Sequence, residues 1–185
     1  MKKWVISLFT VFLLTGCDAS SELERGMALR SSMLKAGSCS MDVQITADYI
    51  EHSSVFSLSS VFDSSGNMSF TVTEPDSISG INGRIVNQKG NIIFDDSVLY
   101  FDLLGDERLS PISAPWIFMK ALRSGYIRSV GQEDGLLRLT VDDSYADDAL
   151  QVDIWVNEKN EPVRAEIVHD NRRILSLEVE NLEIL

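Results

Sequence analysis

Met41-Asp42-Val43-Gln44-Ile45-Thr46-Ala47-Asp48-Tyr49 alternates without a break between apolar and polar side chains. Successive side chains of a strand point to opposite faces, so a period of two describes a strand with one face buried and one wet. The pattern continues downstream. Val55 to Phe62 puts Phe56, Leu58 and Phe62 on one face, and Met68, Phe70 and Val72 line the next strand beyond the turn Asp63-Ser64-Ser65-Gly66-Asn67. Ile81 to Asn87, Ile92 to Phe94 and Val98 to Leu104 read as further strands, punctuated by Lys89-Gly90-Asn91 and Asp95-Asp96-Ser97. Connections this short join antiparallel neighbours, because a parallel crossover takes about a dozen residues or more.

Past a loop from Gly105 to Ala114 the period changes. Pro115 suits the first helical position, where its missing N–H costs nothing. Trp116-Ile117-Phe118-Met119-Lys120-Ala121-Leu122 is apolar around nearly the whole turn, which predicts a helix buried on most sides and stopped by Gly125. Four or five strands follow. Ile127 to Glu133 and Leu136 to Val141 flank the hairpin signal Asp134-Gly135. Leu150, Val152, Ile154 and Val156 alternate with Gln151, Asp153 and Trp155, and Val163 to His169 and Ile174 to Leu185 close the chain. Upstream, Ser21-Glu22-Leu23-Glu24 reads as a capping box opening a helix to about Ala36, with Gly37 beyond it and Leu23, Met27 and Leu34 as its apolar side. The expected fold is mainly β (α+β). About ten antiparallel strands form one curled meander, and the N-terminal and mid-chain helices close its apolar concave side as a half-barrel.

The first seventeen residues carry a different message. Lys2 and Lys3 precede an apolar run, Trp4 to Leu14, that is shorter than the roughly 20 residues needed to span a bilayer. It has the length of a secretory h-region. It ends in Leu14-Thr15-Gly16-Cys17, which matches the lipobox of bacterial lipoproteins. That match implies cleavage after Gly16 and lipid attachment at Cys17, with palmitate-class acyl chains holding the protein to the extracytoplasmic face of the cell membrane. The expected layout is a leader over 1–16, an anchored tether over 17–21 and one domain over 22–185.

The chain of 185 residues carries a net charge of −12, and loss of Lys2 and Lys3 takes it to −14. A chain so acidic has little with which to neutralise phosphates, which disfavours nucleic acid as a partner and broad contact with anionic lipid, and no nucleic acid is expected. The membrane link therefore falls to the acyl chains, at about 0.8 kcal/mol per buried CH₂. With Cys17 acylated, Cys39 has no intramolecular partner and reads as a small buried hydrophobe.

No nucleophile elbow, zinc-binding helix or phosphate loop appears, and His52 and His169 sit at strand edges, so no enzyme and no cofactor is expected. Asp142, Asp143, Asp147 and Asp148 form an acidic loop that lacks the glycine of a calcium loop, and no metal is assigned to it. The apolar groups expected to face inward are Trp116, Phe118, Met119 and Leu122 on the helix, and Phe56, Phe70, Tyr100 and Ile154 on the sheet. They describe either a lipid cavity or a filled core. The acidic outward residues Asp153, Glu166, Glu178 and Glu180 offer the other reading, a scaffold that docks an exported partner.

The closing stretch carries a family resemblance. Val152-Asp153-Ile154-Trp155-Val156, the turn Glu158 to Glu161, Pro162-Val163-Arg164-Ala165-Glu166-Ile167 and then Arg172-Arg173-Ile174 resemble the strand, turn, Leu-Pro, strand, turn, strand ending of the LolA/LolB-like lipoproteins, with Glu161 in place of the usual Leu. The resemblance implies a half-barrel that holds a lipid or a lipoprotein's acyl chain. The anchored branch, which includes a clostridial spore-germination lipoprotein, is the more similar one. On the scaffold reading the exported partner would be, for example, a wall or cortex hydrolase or its regulator. Asp18 directly after the Cys argues against an outer-membrane acceptor in an enterobacterium and carries no such meaning in a Gram-positive cell.

Overall fold

Two meanders meet in the middle of one sheet. The computed structural model describes residues 18–49, 52–94, 97–102, 104–105, 108–146 and 149–185. The leader and Cys17 lie outside these residues. A helix, α1 (Asp18–Lys35), precedes six strands: β1 (Ser38–Tyr49), β2 (His52–Asp63), β3 (Met68–Glu74), β4 (Asn82–Val86), β5 (Lys89–Phe94) and β6 (Ser97–Asp102). A small hairpin, β7 (Leu104–Gly105) and β8 (Arg108–Leu109), and a 3-10 turn at Pro111–Ser113 lead into α2 (Ala114–Ser124). Five strands complete the chain: β9 (Tyr126–Glu133), β10 (Leu136–Asp142), β11 (Gln151–Val156), β12 (Pro162–His169) and β13 (Arg172–Ile184).

The eleven long strands form one antiparallel sheet in the order β6-β5-β4-β3-β2-β1-β13-β12-β11-β10-β9. It is a half-barrel, open because β6 and β9 are edges and do not pair. The first and last strands pair at its centre, with Val43 opposite Val179 and Ile45 opposite Leu177. The chain crosses from one edge to the other through α2, so the sheet is two meanders rather than the single one expected. Three hairpins turn through paired positive-φ residues, Asn87-Gln88, Asp134-Gly135 and Asp170-Asn171. That backbone matches the right-handed twist of the strands it joins.

Alternation puts one continuous apolar layer on the inner face. Met41, Val43, Ile45, Leu58, Phe62, Met68, Ile85, Leu139, Ile154, Ile167 and Leu177 are all buried there. Full burial of such a side chain stabilises by about 1.5–3 kcal/mol, and this layer is the main source of stability. Cys39 lies within it, and burial pushes its thiol pKa up.

The helices cover only part of that layer. α1 packs on β9 and β10, and α2 on β10, β12, β13 and α1. The face of α1 differs from the one expected. Gly26, Leu29 and Met33 are buried, whereas Leu23, Met27 and Leu34 are exposed. Gly26 faces β10: a Cβ there would come within 2.8 Å of Leu139 Cδ2, so a larger residue would push the Leu139 side chain or the helix aside. Residues 18–21, read as a tether and a cap, are already helical. The two helices cap each other. Arg30 donates from Nε to the Leu122 carbonyl and from Nη2 to that of Ala121, and Arg123 Nε donates to the Met33 carbonyl. Cations on the last-turn carbonyls of a helix add hydrogen bonds there and complement the helix dipole. Among the described residues no helix is long and apolar enough to cross a membrane.

The turn after β2 is a second joint. Asp63 Oδ1 accepts from the Ser65 and Asn67 amides, and Oδ2 from the Asn67 side chain. α2 reaches it through Arg123 Nη1, which donates to the Asp63 carbonyl, and Trp116 Nε1, which donates to that of Gly66. The Asn67 side chain and the two amides hold the Asp63 carboxyl below its ordinary value of 3.8. A depressed folded-state pKa means that this stabilisation is present above 3.8 and is lost as pH falls through the folded value. Asp63→Asn should therefore lose less melting temperature than the parent between about pH 5 and about pH 2. Parallel curves would show that the carboxylate is not what holds the turn.

Candidate functional site

The concave wall is built in rows across the sheet. Cross-strand pairing places Met41, Ser60, Phe70, Gly83, Ile92 and Leu99 in one row, and Phe62, Met68, Ile85, Gly90 and Phe101 in the next. Two glycines interrupt these rows, and aromatic rings fill both gaps. A Cβ at Gly83 would collide with the Asn91 carbonyl oxygen and meet Phe70 Cζ at 2.7 Å, and one at Gly90 would collide with the ring of Phe101. Aromatic rings beside sheet glycines shield the backbone that a missing side chain leaves bare.

Of the residues expected to face inward, Phe118, Met119, Leu122, Ile154 and Phe70 are buried in one core cluster, and Phe56 and Trp116 are half-buried against it. Beneath α2 the concave side is filled by side chains. Tyr100 is the exception. It is 81% exposed on the outer face opposite Asn91, and Phe101 takes the inward position. Strand parity decides this: Leu99 and Phe101 share the face of Ile92 and Gly90, and Tyr100 points the other way. Sequence reading missed Ile92, Phe101, Ile78 and Ile81, which are half-buried against the core. Ile78 and Ile81 flank a loop that folds back on β3, where Gly80 donates to the Val72 carbonyl and Val72 to that of Ile81. The Ser60 hydroxyl is buried in the first row with no hydrogen-bond partner among the described residues.

The outer face is not the bare acidic surface expected. Asp153 is only 3% exposed and accepts from Arg138 Nη2 at 3.0 Å, Thr140 Oγ1 at 2.7 Å and Gln151 Nε2 at 3.0 Å. Arg138 also binds Glu133, and Arg173 binds Glu166. The bond to Asp153, with the nearby carboxylates, raises the Arg138 pKa above its already high ordinary value. Trp155 is buried on this outer face between two guanidinium groups, Arg164 at 4.0 Å and Arg138 at 5.1 Å from its ring, and its Nε1 donates to Glu133. This cation–π stack closes over the outer side of β10–β12. Beside it, over β9 and β10, runs an open groove of about 400 Å³ lined by Ser129, Gly131, Glu133, Arg138 and Thr140.

In the acidic loop, Asp143 pairs with Lys120 at 3.2 Å and Asp142 with Arg128 at 3.5 Å. Asp147 and Asp148 lie outside the described residues. His52 begins β2 and His169 ends β12.

The geometry defines an open antiparallel half-barrel with two helices packed on its concave face. Solved structures with which it shares this layout include a LolA superfamily protein from Nitrosomonas europaea, at 13% identity and TM-score 0.48 over 90% of this chain and 93% of that one. Two others are the lipoprotein LppX of Mycobacterium tuberculosis, at 12% identity and TM-score 0.42 over 86% and 92%, and a chain of the Clostridioides difficile complex of the CwlD amidase with the GerS lipoprotein, at 10% identity and TM-score 0.36 over 86% and 89%. The likeness is one of fold. No protein-family model and no curated protein sequence matches the chain.

Proposed function

We propose that the chain is a lipid-anchored protein of the extracytoplasmic membrane face that holds an acyl chain or similar lipophilic molecule without catalysis. The observation that carries this reading is the apolar wall beyond the helices. Phe56, Ile92 and Phe101 are only half-buried there, on the same face that is sealed elsewhere. An acyl chain needs no hydrogen bonds and gains about 0.8 kcal/mol per buried CH₂, so it suits such a wall. The ligand lies beside α2 rather than beneath it, since the side chains of α2 fill the space below. Anchoring rests on the leader and Cys17, directly ahead of α1.

Native mass spectrometry of the full chain, extracted gently from membranes, tests both parts. The expected spectrum shows an acylated N-terminal Cys17 and a further retained lipid that Ile92→Asp loses. An intact leader would remove the anchor. A folded protein with no lipid adduct and no uptake of a fluorescent fatty acid would remove the ligand. A second reading, a scaffold for an exported protein, is favoured by the polar groove over Gly131, since two of the outward acids, Asp153 and Glu166, are already paired with Arg138 and Arg173.

A further inference from the structure

The two edges of the sheet are unlike each other. β9 carries Arg128 and Glu133, charges that discourage strand addition. β6 reads Ser97-Val98-Leu99-Tyr100-Phe101-Asp102, with no charge before its last residue and no proline. Val98 is 47% exposed, Leu99 63% and Tyr100 81%, and Ile93 extends the apolar surface from the neighbouring strand. An exposed apolar edge strand is a template for pairing, and a protein that leaves one undefended uses it or aggregates through it.

We infer that β6 is a self-association edge, pairing antiparallel with β6 of a second copy about a two-fold axis at Leu99. The register follows from parity. Residues directly opposite in an antiparallel pair share a face, so a two-fold axis normal to the sheet must pass through a residue and not between two. Centred on Leu99, the pairing sets Leu99 against Leu99 of the second copy on the inner face. On the outer face it sets Val98 against Tyr100, twice. Every exposed apolar side chain of β6 then meets another. Centred on Tyr100, it would set Val98 opposite the acid at position 102. Pairing with β9 would place Arg128 and Glu133 beside apolar groups and extend copy by copy without closing, whereas a β6 pair closes with one symmetry axis. In the closed pair the two concave walls run into one another across the axis. Leu99 shares the inner face with the proposed ligand wall, whereas Val98 and Tyr100 lie on the outer face, so trapping between those two reads the pairing without touching that wall.

Disulfide trapping in the full chain tests it, read as the increment over the parent chain with its own cysteines. Opposed Cα atoms in a ladder lie about 4.5–5.5 Å apart, within disulfide range. Leu99→Cys should cross-link to a covalent dimer under mild oxidation about tenfold more than Val98→Cys or Tyr100→Cys alone, while a mixture of those two variants cross-links to each other. Sedimentation of the parent should show a concentration-dependent dimer that Leu99→Lys abolishes. Equal trapping at all three positions, no trapping at Leu99→Cys in a folded chain, or a monomer at every concentration would overturn the inference.

Discussion

Replacing Phe118 with Ala should lower the unfolding free energy by about 3–5 kcal/mol, read as a fall in urea midpoint at unchanged slope. Phe118 is fully buried at the centre of α2, in the core cluster that joins the helix to β10, β12 and β13. The size of the loss measures what lies beneath the helix. A close-packed interior adds a void term to the lost transfer energy, because its neighbours relax only in part. A ring that already faced a hollow would lose transfer energy alone, about 2 kcal/mol or less. The larger figure is expected because Met119, Leu122, Ile154 and Phe70 are buried with it. The smaller would extend the ligand site under α2.

Asp153→Ala should cost about 2–4 kcal/mol, the second large effect. The substitution removes three hydrogen-bond acceptor contacts from one buried carboxylate, leaving Thr140, Gln151 and one arm of Arg138 unmatched. Arg138 keeps Glu133 and is part-exposed, which holds the cost below that of orphaning a fully buried cation. Asp153→Asn preserves an acceptor and should lose about half as much. Trp155 supplies a local readout. Once Arg138 is freed its emission should shift, with little change in far-ultraviolet dichroism. A full-sized loss with unchanged emission would show that the stack on Trp155 does not depend on Asp153.

Most of the sheet was legible because its strands are buried on one face, and that face imprints a period of two on Met41–Tyr49 and Leu150–Val156 alike. Trp155 was correctly placed with the polar residues by alternation alone. Other features were set by partners that no local pattern names. The buried face of α1 sets Gly26 against Leu139, 113 residues apart in sequence, and leaves the larger side chains of Leu23, Met27 and Leu34 exposed. In Val98–Phe101 both alternating sets are apolar, and only Asp102, in the set of Val98 and Tyr100, marks the outer one. Asp153 and Glu166 were legible as acids but not as ion pairs, since Arg138 and Arg173 lie on neighbouring strands. Nothing local announced that β1 pairs with β13.

That central pairing governs how the chain can be assembled. β13 follows every other strand in the chain, so a chain delivered N-terminus first leaves one flank of β1 without its neighbour until β13 arrives. Contacts spanning nearly the whole polypeptide close late and slowly, and a half-finished sheet with a free inner border invites capture by other chains. Trimming even the last dozen residues should therefore leave an aggregating fragment rather than a smaller folded one.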